Sequence, residues 1–114
     1  MDALTPLLIA KALDGLAARA EALATNIANA GSRTYRPIAV DFEARLRAAA
    51  DHGAAAITAV RPDTHAATAS TTGGEMRLDL EMATAAQTSM RYAALLEMLG
   101  REMAIGRAAI MGGR

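Results

Sequence analysis

The chain has 114 residues, twelve basic against twelve acidic side chains, no cysteine and no tryptophan. Alanine supplies 30 positions, whereas Leu, Ile, Val and Phe together supply 21, so large apolar side chains are scarce for a self-sufficient enzyme core. Balanced charge without a Lys/Arg cluster argues against a nucleic-acid footprint, and the lack of cysteine excludes disulfides and thiolate metal sites.

The first periodic segment predicts a helix over residues 6–30. Ile9, Leu13, Leu16, Ala20, Leu23, Ile27 and Ala30 alternate in steps of four and three, the seam of a coiled coil. Thr5 is placed to cap it, Pro6 suits the first helical position, and Gly31-Ser32 reads as a stop. At about 1.5 Å per residue the helix would be about 37 Å long. The acidic start and the short apolar run of Leu7 to Ala10 do not make a cleaved secretory signal.

Residues 31–76 carry weaker signals. Residues 31–40 read as an extended turn, Asp41 as the cap of a short helix through Phe42 and Leu46 to Asp51, and 54–74 as an extended or mobile loop with little periodicity. The two histidines, His52 and His65, fall in this middle with no constellation of ligands around them, and they read as solvated loop residues.

The C-terminal segment, residues 77–111, predicts the longer helix. Leu78, Met82, Ala85, Ser89, Tyr92, Leu96, Leu99, Met103, Gly106 and Ile110 keep the same alternation for over four heptads, with Asp79 as cap and Gly112-Gly113 as terminator. Leu95 widens the stripe, which allows more than one covered face. The methionines on and beside the seam read as fillers of a coiled-coil contact rather than as a promiscuous groove. Glu97 and Arg101 form a helix-surface pair with no catalytic implication. No phosphate loop or nucleophile elbow is present in the sequence.

The most informative cluster closes the first helix: Asn26-Ile27-Ala28-Asn29-Ala30-Gly31-Ser32-Arg33-Thr34-Tyr35. Two asparagines three apart can hold the following turn through their amides, and plain helix-end capping accounts for them equally well. Asn26, Ala28, Asn29 and Tyr35 resemble, in identity and spacing, the Asn-x-Ala-Asn, two residues, Thr-Pro-Gly-Tyr signature of the bacterial flagellar rod, hook and filament-junction proteins. Ser32 stands for the Thr, and Arg33-Thr34 replaces Pro-Gly, which leaves Gly31 to absorb any positive φ. Leu78-Asp79-Leu80-Glu81-Met82-Ala83, Met90-Arg91-Tyr92 and Arg107-Ala108-Ala109-Ile110 are similar to the end of the proximal-rod members of that family. The resemblance covers roughly residues 4–36 and 77–111.

The expected fold is therefore all-α: one rod-type domain whose two terminal helices pair as an antiparallel coiled-coil hairpin, with a short middle helix. Leu13, Leu16, Leu23, Ile27, Met82, Tyr92, Leu96, Leu99, Met103 and Ile110 are expected in the helix-pairing and assembly interface. The resemblance implies a structural, non-enzymatic subunit of the flagellar basal body, without cofactor or metal, exported by the flagellar type III apparatus without signal cleavage. It implies partners among other rod subunits, the rod-to-ring adaptor subunit, the membrane ring and the export gate, with no nucleic acid and no small-molecule substrate. The alternative is a cytoplasmic helical adaptor or export chaperone that binds an amphipathic partner.

Overall fold

The computed structural model describes residues 3–67 and 77–112. It is mostly helical, in the order α1 (Leu4–Ala28), β1 (Ile38–Asp41), α2 (Glu43–Ala50), α3 (Ala54–Ala59), β2 (Asp63–Ala66) and α4 (Leu78–Gly112). The long terminal helices fall where the periodicity puts them. The all-α expectation is corrected by an antiparallel two-stranded sheet, in which Ile38 faces Ala66, Ala39 faces His65, Val40 faces Thr64 and Asp41 faces Asp63.

The sheet forms because α1 presents partners for its backbone. Asn26 and Arg19, two helical turns apart on one face, take the carbonyls of Ile38 and Val40, and Val40 is buried. β2 completes the other edge, and Ala67 N–H extends the ladder to the Pro37 carbonyl. The expected loop over 54–74 thus carries α3 and β2, while its portion 68–74 lies outside the described residues. The alanine run at 54–56 supplies helix propensity without periodicity, and Gly53, at φ 94°, makes the corner between α2 and α3.

Helix ends also differ from the sequence reading. α1 starts after Ala3 rather than at Thr5, so Pro6 lies within the first turn, where its missing N–H leaves no intrahelical bond unmade. It ends at Asn29, whose N–H reaches the Thr25 and Asn26 carbonyls, two residues before Gly31. Gly31 does not take a positive φ; among the described residues only Gly53 does. α2 follows Phe42, not Asp41, and Asp79 lies inside the first turn of α4 rather than capping it. Of the Gly112-Gly113 terminator, Gly112 is the last helical residue and Gly113 lies outside the described residues.

α1 is the axis of the molecule. Along one side it packs against α4, and along another it receives β1, α2 and α3. The core there is Leu16, Ala22, Val40, Phe42, Leu46, Ala49 and Ile57, with Leu16 and Ile57 wholly shielded from solvent. Phe42 lies flat in a slot that α1 opens at Gly15, because a Cβ on Gly15 would fall 2.4–2.5 Å from the ring.

The molecule measures 64 × 26 × 17 Å with a radius of gyration of 17.6 Å, against about 13 Å for a compact domain of this length. It exposes 7795 Å², against about 5,900 Å² for a compact monomer of this mass.

Candidate functional site

The end of α1 holds a complete polar node. Asn26 is 1% exposed and makes four hydrogen bonds, which uses every donor and acceptor its amide offers. Its Nδ2 donates to the Ile38 carbonyl at 2.9 Å and to Glu81 Oε2 at 3.0 Å. Its Oδ1 accepts from the Tyr35 hydroxyl at 2.6 Å and from the Ile38 N–H at 3.0 Å. One side chain therefore joins α1, the turn over residues 29–37, the first residue of β1 and the first turn of α4. The other two motif residues stand apart from this node. Asn29 Nδ2 donates locally to the Thr25 carbonyl at 2.8 Å, a helix-end cap, and Ala28 is exposed. In place of a Pro-Gly turn, Ser32 N–H bonds the Asn29 carbonyl, and the Ser32 and Thr34 hydroxyls meet at 3.2 Å.

A second node, absent from the sequence reading, lies two turns earlier on α1. Arg19 donates through both terminal nitrogens to the Glu43 carboxylate at 2.6 and 2.7 Å, and to the Val40 carbonyl at 2.7 Å. Its guanidinium carbon stands 5.0 Å from the centre of the Phe42 ring. The hydrogen bonds from Arg19 hold the Glu43 carboxyl down at about 2, against a smaller opposing effect of burial. The same pairing raises Arg19. A lone arginine on a helix gives no sequence signal of such a role; only the fold brings residues 40, 42 and 43 beneath it.

The expected interface residues divide sharply by helix. On α1, Leu13, Leu16 and Leu23 are buried and Ile27 is half-buried. On α4, Met82, Tyr92, Leu96, Met103 and Ile110 are exposed, and Leu99 alone of the expected set is half-buried. Thr88 is the single buried residue of α4 among those described. The shielded positions are Glu81, Ala85, Thr88, Leu95, Leu99, Glu102 and Gly106. They follow steps of four, three, seven, four, three and four, which is a second heptad sharing Ala85, Leu99 and Gly106 with the expected one. Within the chain, α4 thus turns toward α1 a stripe of small and polar residues joined by Leu95 and Leu99. The richer stripe, Met82, Leu96, Met103 and Ile110, faces outward, and Leu80, Met98 and Ile105 project from the far flank. Eleven large apolar side chains are exposed among the described residues, all of them on α4.

The chemistry available elsewhere is modest. His65 Nε2 lies 2.6 Å from Asp41 Oδ2, and its Nδ1 lies 2.9 Å from the Ala66 carbonyl. The backbone carbonyl, then the carboxylate, favour the doubly protonated ring and raise its pKa, a clip across the exposed edge of the strand pair. Among the described residues no three His, Asp or Glu side chains converge as a metal site. No family model matches the chain, and no curated protein matches it.

Proposed function

We propose that this chain is a structural subunit of the bacterial flagellar proximal rod, of the FlgB type. Its terminal helices pair as an antiparallel hairpin, and neighbouring subunits cover the rest of α4. The observation that carries the reading is the outward stripe of Met82, Leu96, Met103 and Ile110, 52–77% exposed, set at the heptad spacing that a second long helix would fill. Antiparallel pairing is supported by Asn26 reaching Glu81 at one end of α1 and by Leu95 meeting the face of Leu8, Ala12 and Leu16 toward the other. The turn motif supports the family assignment, since Asn26 and Tyr35 have a joint task there. A torque-bearing element needs packing and satisfied polar joints rather than a reacting centre, and both nodes on α1 are joints of that kind.

In this reading the partners are other rod subunits, the rod-to-ring adaptor, the membrane ring and the export gate. The subunit reaches the periplasm through the flagellar type III apparatus. A bare α4 also suits an export chaperone that holds an amphipathic helix in the cytoplasm, and fractionation separates the two. A tagged chain is expected to remain with detergent-extracted basal bodies, and recovery of the native chain only from the soluble cytoplasm sinks the rod reading. Leu96→Asp places a charge on the outward stripe, so it is expected to abolish retention and motility while leaving the chain folded. Full motility of that variant removes the stripe from the interface.

A further inference from the structure

Beside the outward stripe of α4, on the side turned away from α1, runs a second row. Asp79, Ala86, Ala93, Gly100 and Arg107 stand three residues before Met82, Ser89, Leu96, Met103 and Ile110, and every member of both rows is exposed. Steps of three and four between the rows make a complete heptad seam that α1 does not touch. α2 lies on the other side as well: Arg91, which approaches Glu43 to 3.8 Å, is half a turn around the helix from the seam. One row of the seam is mostly large and the other mostly small, and a Cβ at Gly100 would meet nothing within 4 Å. The charged members are Asp79 at one end and Arg107 at the other. Glu97, next to the seam, is already bound by Arg101 at 2.6 Å, and Glu102 is shielded on the α1 side.

These features select the occupant. A helix fills this seam when it lays large side chains over the small row, small ones over the large row, a cation beside Asp79 and an anion beside Arg107. The same seam run backwards meets all four conditions. With Ala93 set against Leu96 of a second copy, Ala86 meets Met103, Gly100 meets Ser89, and Asp79 comes within one turn of Arg107, each contact made twice by symmetry. Parallel pairing in register instead puts Asp79 on Asp79, Arg107 on Arg107 and the small row on itself. The outer face of α1 is the other bare helix surface of a copy, with Asp14, Ala17, Ala20, Glu21, Ala24 and Ala28 exposed. It has no large side chain for the space over Ala86, Ala93 and Gly100, and no cation for Asp79.

We propose that α4 pairs antiparallel with α4 of a second copy through this seam, about a two-fold axis midway between Ala93 and Leu96. Small residues opposite large ones let the helix axes approach to about 8 Å. A two-fold contact closes on itself, so the dimer does not propagate. It is the form in which the free chain shields its stripe until a rod neighbour takes it. The inference shares that stripe with the proposed function and is independent of its flagellar setting.

The native chain has no cysteine, so introduced thiols report contacts directly. Full-length chains carrying Ala86→Cys and Met103→Cys are mixed and oxidised. The mixed 86–103 disulfide is expected to dominate, because antiparallel pairing sets these positions level and holds the two copies of residue 86 about 25 Å apart. Predominance of the 86–86 and 103–103 products, or parity among the three, overturns the inference. In sedimentation of the cysteine-free chain, Asp79→Arg and Arg107→Asp should each weaken dimerisation about five-fold or more, and the double swap in one chain should recover most of the loss. No recovery, or a native chain monomeric at every concentration, overturns it equally. A native chain that stays with basal bodies yet never dimerises refutes this contact and leaves the rod reading standing. A dimer that is absent from basal bodies does the reverse.

Discussion

The two terminal helices carry the same alternation of four and three, yet they end in opposite circumstances. α1 buries seven residues and is covered on two sides, by α4 along one and by β1, α2 and α3 along another. α4 is ten residues longer, buries one residue among those described and leans chiefly on α1, with Arg91 approaching Glu43 of α2 only to 3.8 Å. The difference teaches that a heptad declares a face without declaring its partner. Stability of the isolated chain should therefore sit in α1 and its two polar nodes, whereas α4 should matter to association. Each variant below tests that division.

The largest effect is expected at Asn26. Leucine keeps the branching and the number of side-chain heavy atoms but none of the hydrogen bonds, so Asn26→Leu leaves the Ile38 N–H and carbonyl unpaired and frees Tyr35 and Glu81. Each buried group left unpaired costs about 1–3 kcal/mol, and Tyr35 and Glu81 recover water because they are only half-buried, so a loss of about 2–4 kcal/mol is expected in denaturant unfolding. A loss below about 1 kcal/mol would mean the node holds nothing together.

Glycines offer the same comparison with opposite signs. Gly15→Ala drives a methyl group into the Phe42 ring, and overpacking of about 1–3 kcal/mol outweighs the helix-propensity gain of about 1 kcal/mol. On α4, a Cβ at Gly100 meets nothing within 4 Å, so Gly100→Ala should stabilise the isolated chain by about 0.5–1 kcal/mol. Melting curves of the two variants should move in opposite directions. A shared direction would erase the distinction between the helices.

Acid should weaken the Arg19 node in a defined window. The folded-state pKa of Glu43 is depressed, so its contribution is complete above the ordinary carboxylate value of about 4.5 and is lost as pH falls toward about 2. Glu43 is 37% exposed, which limits the effect to about 1 kcal/mol. Glu43→Gln should flatten the dependence of unfolding midpoint on pH between 4.5 and 2. An unchanged slope there would assign the acid sensitivity to other carboxylates.

Much of this frame was legible in the sequence. The terminal helices and the α1 stripe through Leu13, Leu16 and Leu23 follow from spacing, whereas Asn26 and Tyr35 were marked only by the resemblance of the turn, which gave no sign of the bond between them. The phase of α4 was not legible, because hydropathy favours Met82, Leu96 and Met103, while the residues turned inward beside them include Glu81, Thr88 and Glu102. Glu81 faces inward because Asn26 supplies a hydrogen bond, a tertiary fact with no local trace. The strands were hidden for a similar reason. Ala39, Asp41, Asp63, His65 and Ala66 have little strand propensity, and their pairing spans more than twenty residues of chain. The slot at Gly15 gave no sign either, since a glycine inside a helix usually reads only as a cost.

The smallest expected effect is the most discriminating. Leu96 is 52% exposed in the folded chain, so Leu96→Asp removes little buried surface and changes helix propensity by only about half a kcal/mol. Unfolding of the isolated variant should stay within about 0.5 kcal/mol of the parent, while its retention in basal bodies should vanish. A large loss of stability would place Leu96 in the fold of the single chain, and the outward stripe would then cease to be a surface awaiting a neighbour. Equal stability joined to lost assembly would mean that the strongest apolar periodicity in the sequence is addressed to another chain, and that the weaker, polar stripe beside it is the one the subunit keeps for itself.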